Sequence, residues 1–232
     1  MERIQAVRGM NDILPGEIGW WQQVEEAARR IFQDFGYVEI RTPVLEKLEL
    51  FTRSIGENTD IVEKEMYAFP DRKGEWLALR PEATASIVRS FIQNDLYADP
   101  LARKFYSMGP MFRHERPQKG RYRQFHQVDV EAFGIDDPML DAEIMFMLRL
   151  FLQKVGLAGV GLHINSLGCR DCRKSYRESL RVFLASQAEG LCPDCLRRRE
   201  VNPLRVLDCK VERCKTVLET APVLLETLCD PC

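Results

Sequence analysis

Apolar residues recur at three- and four-residue intervals at Trp21, Val24, Ala28, Ile31 and Phe35, after Pro15-Gly16 and just before Gly36. That spacing predicts an amphipathic helix opened by the proline and stopped by the glycine. Residues 37–41 (YVEIR) then alternate apolar and polar, the period of a half-buried strand that Pro43 ends or kinks. Strand character returns over 61–80, most clearly at 76–80 (WLALR). A helix is expected after Pro81, with Glu82 and Thr84 in its first turn and Ile87, Val88 and Phe91 on its buried side. A last long helix should run from Asp137-Pro138 to Gly156, with Ile144, Met147, Leu148 and Phe151 inward. Strands and helices mixed without regular βαβ alternation predict an α+β fold built on an antiparallel sheet.

The most informative stretch is 105–133, FYSMGPMFRHERPQKGRYRQFHQVDVEAF, two strands around a polar loop. By the two-residue period, Met111, Arg113 and Glu115 share a face of the first strand. Phe125, Gln127, Asp129, Glu131 and Phe133 share a face of the second, while Val128, Val130 and Ala132 point the other way. One side is therefore apolar, as a sheet packed on helices needs, and the other carries an arginine, an amide and carboxylates. A solvated sheet face would explain any one of these residues. Phe125 and Phe133 among them suit a floor that stacks or excludes water. The loop at 116–123 adds four cations, Arg116, Lys119, Arg121 and Arg123, and the guanidinium forks of the arginines match phosphate oxygens.

Composition changes this picture little. The 232 residues are 45% hydrophobic and 29% charged, ordinary for a globular protein, and the net charge of −2 speaks against nonspecific polyanion binding over the whole surface. The first residues lack a basic-then-apolar leader and no run of 18 apolar residues occurs, so neither a signal peptide nor a membrane span is expected and a cytoplasmic setting is. The eight cysteines do change it. All lie after residue 168, where disulfides are a poor explanation in a reducing compartment. They divide the chain into residues 1–165 and a cysteine-rich, basic segment, 166–232.

A strand ending in Phe-Arg-x-Glu, then a basic loop and a second strand, resembles the second signature motif of class II aminoacyl-tRNA synthetases. RHERPQKGRYRQFHQ (113–127) is similar to its histidyl-tRNA synthetase version. The helix ending at Phe35 with GYVEIRTPVLE (36–46) resembles the first motif, Pro43 standing where the family has its dimer-interface proline. LRPEATASIVR (79–89) resembles the family's Arg-Pro-Glu-Gly-Thr segment, with Ala83 in place of glycine. That methyl either crowds backbone near the substrate or is absorbed in a helical turn. RGMNDILPGE (8–17) and NPLRVLDCK (202–210) match as well, so the resemblance covers essentially the whole chain.

The resemblance implies a class II-type antiparallel sheet flanked by helices, with residues 166–232 as a smaller, cysteine-rich helical insertion. It implies a ligase that activates histidine with ATP and transfers it to tRNA(His), as a homodimer formed through the first motif. Glu82, Thr84 and Gln127 would hold the α-ammonium of histidine, and Glu131 would accept from its imidazole. Arg113, the catalytic arginine, would bridge the histidine carboxylate and the ATP α-phosphate. Glu115 would meet the adenine edge, Phe125 would stack on the ring, Arg121 and Arg123 would grip the phosphates, and Mg2+ is expected on the pyrophosphate side. The family's second histidine-binding segment, third motif and anticodon-binding domain are not found before Cys232. The chain is accordingly expected to be a truncated N-terminal part that does not complete adenylation alone.

Cys169-x-x-Cys172, Cys192-x-x-Cys195 and Cys229-x-x-Cys232 each have zinc-ligand spacing. The first two pairs flank an amphipathic helix, SYRESLRVFLA, and Cys169, Cys172, Cys192 and Cys195 are the expected ligands of one structural zinc, against a reading as free, partly buried thiols. The run 196–199 (LRRR) suits a solvated helix face or contacts with the tRNA acceptor arm. Two other readings stay open. One is a non-catalytic regulatory subunit of ATP phosphoribosyltransferase, disfavoured by the intact Arg113, Glu115, Arg121 and Arg123. The other is a zinc-dependent nucleic-acid-binding module, which leaves the polar sheet face without a purpose.

Overall fold

A computed structural model describes residues 3–55, 59, 61–99, 103–230 and 232. The chain divides into two compact units, Met1–Val160 and Gly161–Cys232. The architecture is the mixed one expected, small sheets with helices packed on them.

In the first unit, helix α1 (Ile18–Asp34) ends where Gly36 takes φ +79°, a conformation that favours glycine. It leads into a short strand β1 (Val38–Glu39), then β2 (Leu45–Lys47) and α2 (Leu48–Ile55). Residues Ile61–Glu65 form a π-helical turn instead of the expected strand. β3 (Ala68–Pro70) and β4 (Trp76–Leu79) form a hairpin whose turn is fastened by Asp71 Oδ1, which accepts from the backbone N–H of Lys73 and Glu75 at 2.7 and 2.8 Å. Helix α3 (Thr84–Gln93) follows, then the long strands β5 (Lys104–Phe112) and β6 (Gln124–Ala132) and helix α4 (Pro138–Lys154). Asp137 caps α4 by accepting from Met139 N at 2.8 Å, with Pro138 at the first helical position, as read from the sequence.

The strands form two sheets, β1-β5-β6 and β2-β4-β3. β5 and β6 pair antiparallel along their whole length, Met111 opposite Phe125, Gly109 opposite Gln127, Ser107 opposite Asp129 and Phe105 opposite Glu131. β1 runs parallel to β5, a local departure from the expected antiparallel sheet. The alternation along β6 sorts as expected. Val130 faces a core of Ala28 and Phe32 from α1, Tyr37, Tyr106 and Met147 from α4, with Met108 against it. Each fully buried apolar side chain there contributes about 1.5–3 kcal/mol. Leu148, expected inward, is half exposed, as is Phe146, and Val24 on α1 is exposed too. α4 is apolar on more than one face, so spacing alone does not say which face meets the sheet.

The second unit is helical: α5 (Arg170–Ser186), α6 (Pro193–Val201) and α7 (Glu212–Leu218), joined by short 3-10 turns. Tyr176, Leu180 and Leu184, four residues apart on α5, pack with Leu191, Val206, Cys192, Cys195 and Cys214.

Candidate active site

The face of β5–β6 turned away from α1 and α4 carries the polar residues singled out in the sequence. It is closed at both ends by apolar contacts with α3. Ala83, Ile87 and Met111 are buried together, with Phe125, Phe133 and Ile40 against them. Phe133 stacks on Phe91 of α3, ring centroids 4.1 Å apart and 7° from parallel. Ala83 has φ −98° and is fully buried in this cluster, so its methyl is absorbed at the start of the helix.

Glu82 precedes α3, outside the first turn where the sequence pattern put it, and caps the helix. Its two carboxylate oxygens accept from the backbone N–H of Thr84 at 2.9 Å and of Ala85 at 3.0 Å. Thr84 Oγ1 donates to Glu131 Oε1 at 2.5 Å, tying the helix start to the polar face of β6. Glu82, Thr84 and Glu131, far apart in sequence, thus meet in one place. Beside them, Gln127 Oε1 and Asp129 Oδ2 are buried acceptors without a hydrogen-bond donor among the described residues. Burial and the neighbouring Glu131 and Glu82 carboxylates push Asp129 up to about 6, against the opposing pull of Arg80 and Arg113. Burial likewise raises Glu131, while the Thr84 hydroxyl acts the other way. Three carboxylates and an amide oxygen around one space make a receptor for a cation that brings several N–H donors.

Arg113 extends the pairing beyond β5, its backbone N–H donating to Arg123 O at 2.9 Å. Its Nε donates to Pro81 O at 2.9 Å and its guanidinium lies over the Phe125 ring, 5.0 Å from the centroid. Among the described residues, its two terminal nitrogens donate to no protein acceptor, which leaves them for an anion. Phe125 therefore presents a face already capped by a guanidinium. Glu115 and Arg121 form an ion pair at 3.2 Å, with Arg121 largely exposed, and Arg123 Nε donates to Glu115 O at 3.2 Å. The segment around Gly9 closes this loop from outside. Gly9 O accepts from Arg123 N at 2.7 Å and Gln124 N at 3.1 Å, and a Cβ on Gly9 would come within 3.0 Å of the Arg123 side chain. The motif at 8–17 thus fixes the end of the basic loop.

Sequence reasoning passed over Arg80 and gave Asp129 no role of its own. Arg80 is buried beneath the site. It donates from Nη1 to Thr42 O at 2.9 Å and to Thr42 Oγ1 at 3.2 Å, and from Nε to Pro110 O at 3.0 Å. Burial lowers its pKa, partly offset by Asp129 and Glu46. Gly109 makes room for it, since a Cβ there would lie 2.6 Å from Arg80 Nη2. The signal available was a glycine inside a strand beside a run of polar partners, which marks a close approach.

The cysteines require a correction. Cys169 and Cys172 are not brought together with Cys192 and Cys195. Cys169, Cys172, Cys229 and Cys232 form one group, and Cys192, Cys195, Cys209 and Cys214 another, the four sulfurs of each within 4.8 Å of one another. The reason lies in the helix once expected to join the first two pairs. α5 has 17 residues, about 25 Å at 1.5 Å per residue, with one pair at its start and the other past its end. The helix is a spacer between them.

This fold and polar strand pair are those of an aminoacyl-tRNA synthetase core. The crystal structure of apo Staphylococcus aureus histidyl-tRNA synthetase superposes with a TM-score of 0.73 at 34% identity, covering 98% of this chain and 51% of that one. The family model for histidyl-tRNA synthetase matches residues 9–186, and the chain belongs to that family. Curated relatives named histidine–tRNA ligase include those of Desulforapulum autotrophicum, 56% identical over 229 residues (99% of this chain, 54% of the relative), and Syntrophotalea carbinolica, 56% identical over 230 (99% and 55%). The chain thus spans about half the length of the curated relatives it matches. A Bacillus halodurans protein described as an ATP phosphoribosyltransferase regulatory subunit/histidyl-tRNA synthetase shares the fold, with a TM-score of 0.63 at 20% identity. Among the described residues no helix is long and apolar enough to cross a membrane.

Proposed function

We propose that Met1–Val160 is the part of a class II histidine–tRNA ligase core that binds histidine and ATP for formation of histidyl-adenylate, with the remaining residues as an insertion. The observation that carries this reading is the pair of buried, donorless acceptors, Gln127 Oε1 and Asp129 Oδ2, beside Glu82, Thr84 and Glu131. An unsatisfied buried polar group costs about 1–3 kcal/mol, so a site holding two is built for a ligand that supplies donors. The α-ammonium of histidine offers three N–H donors and a positive charge to Gln127, Thr84 and Glu82, that charge also answers the Asp129 carboxylate beside them, and the imidazole N–H is a further donor to Glu131. An amino acid without that N–H would leave Glu131 with the Thr84 hydroxyl alone, its other carboxylate oxygen without a donor in a half-buried position, and be rejected strongly.

In this reading the free nitrogens of Arg113 span the histidine carboxylate and the ATP α-phosphate. The carboxylate oxygen attacks phosphorus, pyrophosphate leaves, and Arg113 balances the charge that develops between them. Phe125 and Glu115 receive adenine, and Arg121 and Arg123 hold the phosphates. The Glu115–Arg121 pair must open first, and an exposed pair of this kind is worth only about 0–1 kcal/mol. Magnesium takes hard oxygen donors and keeps several waters, so the polyphosphate would hold most of it; Glu115 is the one carboxylate that residues 113–123 supply. Transfer to tRNA(His), a homodimer through the Pro43 region and a cytoplasmic setting follow from the same reading. The exposure of Pro43 and the eight free cysteines support the last two. Isothermal calorimetry tests the core claim. Histidine and ATP should each bind, and histidinol, which keeps the ammonium and ring, should bind where alanine does not. Equal binding of alanine and histidine would overturn the assignment.

A further inference from the structure

The second unit holds eight cysteines in two groups, and neither is used by the chemistry proposed above. In the outer group, Cys169 Sγ lies 3.5 Å from Cys172 Sγ and 4.0 Å from Cys229 Sγ, and Cys229 Sγ lies 3.5 Å from Cys232 Sγ. In the inner group Cys192 Sγ lies 3.9 Å from Cys209 Sγ. Four thiolates around one ion at a metal–sulfur distance of about 2.3 Å stand about 3.8 Å apart along the edges of a tetrahedron. The observed separations bracket that value, and they are far longer than the roughly 2 Å of a disulfide.

Backbone groups are arranged to favour thiolates. Cys169 N donates to Cys232 Sγ and Cys229 N to Cys172 Sγ, each at 3.2 Å, so the two outer pairs exchange N–H···S bonds. Cys192 N donates to Cys214 Sγ at 3.1 Å. Cys169 and Cys192 are the N-cap residues of α5 and α6, and Cys172 and Cys195 lie in the first turns, where the partial positive charge of the helix N-terminus favours anionic sulfur. Gly168, at φ +59°, lets the chain pass the outer group, since a Cβ there would sit 2.7 Å from Cys172 Cβ.

We propose that this unit binds two zinc ions in nested tetrathiolate sites, one at Cys192, Cys195, Cys209 and Cys214 and one at Cys169, Cys172, Cys229 and Cys232. The inner site is part of the unit's hydrophobic core, with Cys195 and Cys214 fully buried. The outer site clamps the two ends of the same segment and is exposed at Cys169, Cys229 and Cys232. A unit of roughly seventy residues has a core too small to be secure without such staples. Soft, all-sulfur donor sets at single-ion spacing select zinc over magnesium or calcium, and leave no open position for catalysis, so both ions are structural. The difference in burial makes the outer ion the first to leave.

Elemental analysis of the full chain, purified without chelator, should give two zinc ions per chain and no iron. With a mercurial thiol titrant and a zinc-sensitive dye, one equivalent should leave early with the helical circular dichroism retained, and the second only as helicity of the second unit is lost. Cys169→Ser with Cys232→Ser should lower the content to one zinc. Because a variant of the inner site such as Cys195→Ser can fail to fold, cobalt(II) reconstitution of the unaltered chain provides the independent count, saturating at two equivalents with tetrathiolate bands. A content of one zinc, the presence of iron, or eight freely titrating thiols in a folded chain would each overturn the proposal.

Discussion

Asp129 carries a charge that its burial and the neighbouring carboxylates disfavour. Its carboxyl ionises at about 6 in the folded chain against 3.8 for the unperturbed group, chiefly through burial, then through Glu131 and Glu82. At 1.36 kcal/mol per pH unit the full difference is about 3 kcal/mol, and residual solvent contact brings the expected penalty to about 1–2 kcal/mol. The sign follows from proton counts. Between pH 4 and 6 the unfolded chain has released this proton while the folded chain keeps it, so stability falls as pH rises through that window and stays lowered above it. Asp129→Asn, which has no proton to lose, should therefore be more stable than the parent at pH 7.5 by about 1–2 kcal/mol, with the gap closing toward pH 4.5.

The assay is urea denaturation followed by tryptophan fluorescence. All three tryptophans, Trp20, Trp21 and Trp76, lie in the first unit, so the signal reports that unit alone. The same substitution should weaken histidine binding by about tenfold at pH 7.5, the loss of one charge-assisted contact, and remove the gain in affinity expected of the parent as pH rises through 6. A stability gap independent of pH, or a variant less stable than the parent at pH 7.5, would refute the argument that a ligand cation is what this charge awaits.

Gly109→Ala should cost about 1–3 kcal/mol in the same denaturation assay, because the added methyl meets Arg80 Nη2 at 2.6 Å while that guanidinium is held by Thr42 and Pro110. Asp137→Ala should lower stability by about 1 kcal/mol through loss of the α4 cap and leave ligand affinities unchanged by calorimetry. Arg121→Ala should change stability by less than about 0.5 kcal/mol, since its pair with Glu115 is exposed, yet weaken ATP binding by about tenfold at low salt.

Much of this site could be read before the structure because its parts obey local periods. Gln127, Asp129 and Glu131 fall on one face of β6 by alternation alone, and Asp137-Pro138 announces α4 by composition. What escaped reading depends on distant contacts. β2 and α2 are too short for a periodic signal, and the strand expected at 37–41, β1, takes its parallel pairing from β5, which no local period declares. The pattern put Leu148 inward although it is exposed, because a helix with more than one apolar face does not declare which one the sheet will cover. Glu82 as a helix cap was one position from legible: acidic residues before a helix are a known start signal, yet Pro81 drew the expected boundary too early.

The cysteines show the same division in sharper form. Cys-x-x-Cys spacing is local, so each pair could be recognised. Which pairs share a site depends on where the intervening helices end. A short connection would have allowed the first two pairs to meet, whereas α5 holds them at opposite ends of its axis. Cys209 and Cys214, five residues apart and outside any two-residue spacer, then complete the inner group, leaving the outer pair to wait for Cys229 and Cys232. The order is nested because the inner group lies wholly between the outer pairs in sequence. Closing the inner group first draws the ends of the segment toward each other and shortens the loop the outer one must close, which lowers the entropy opposing it. A segment organised this way can build the core around Leu180, Leu184 and Val206 before its ends are fastened.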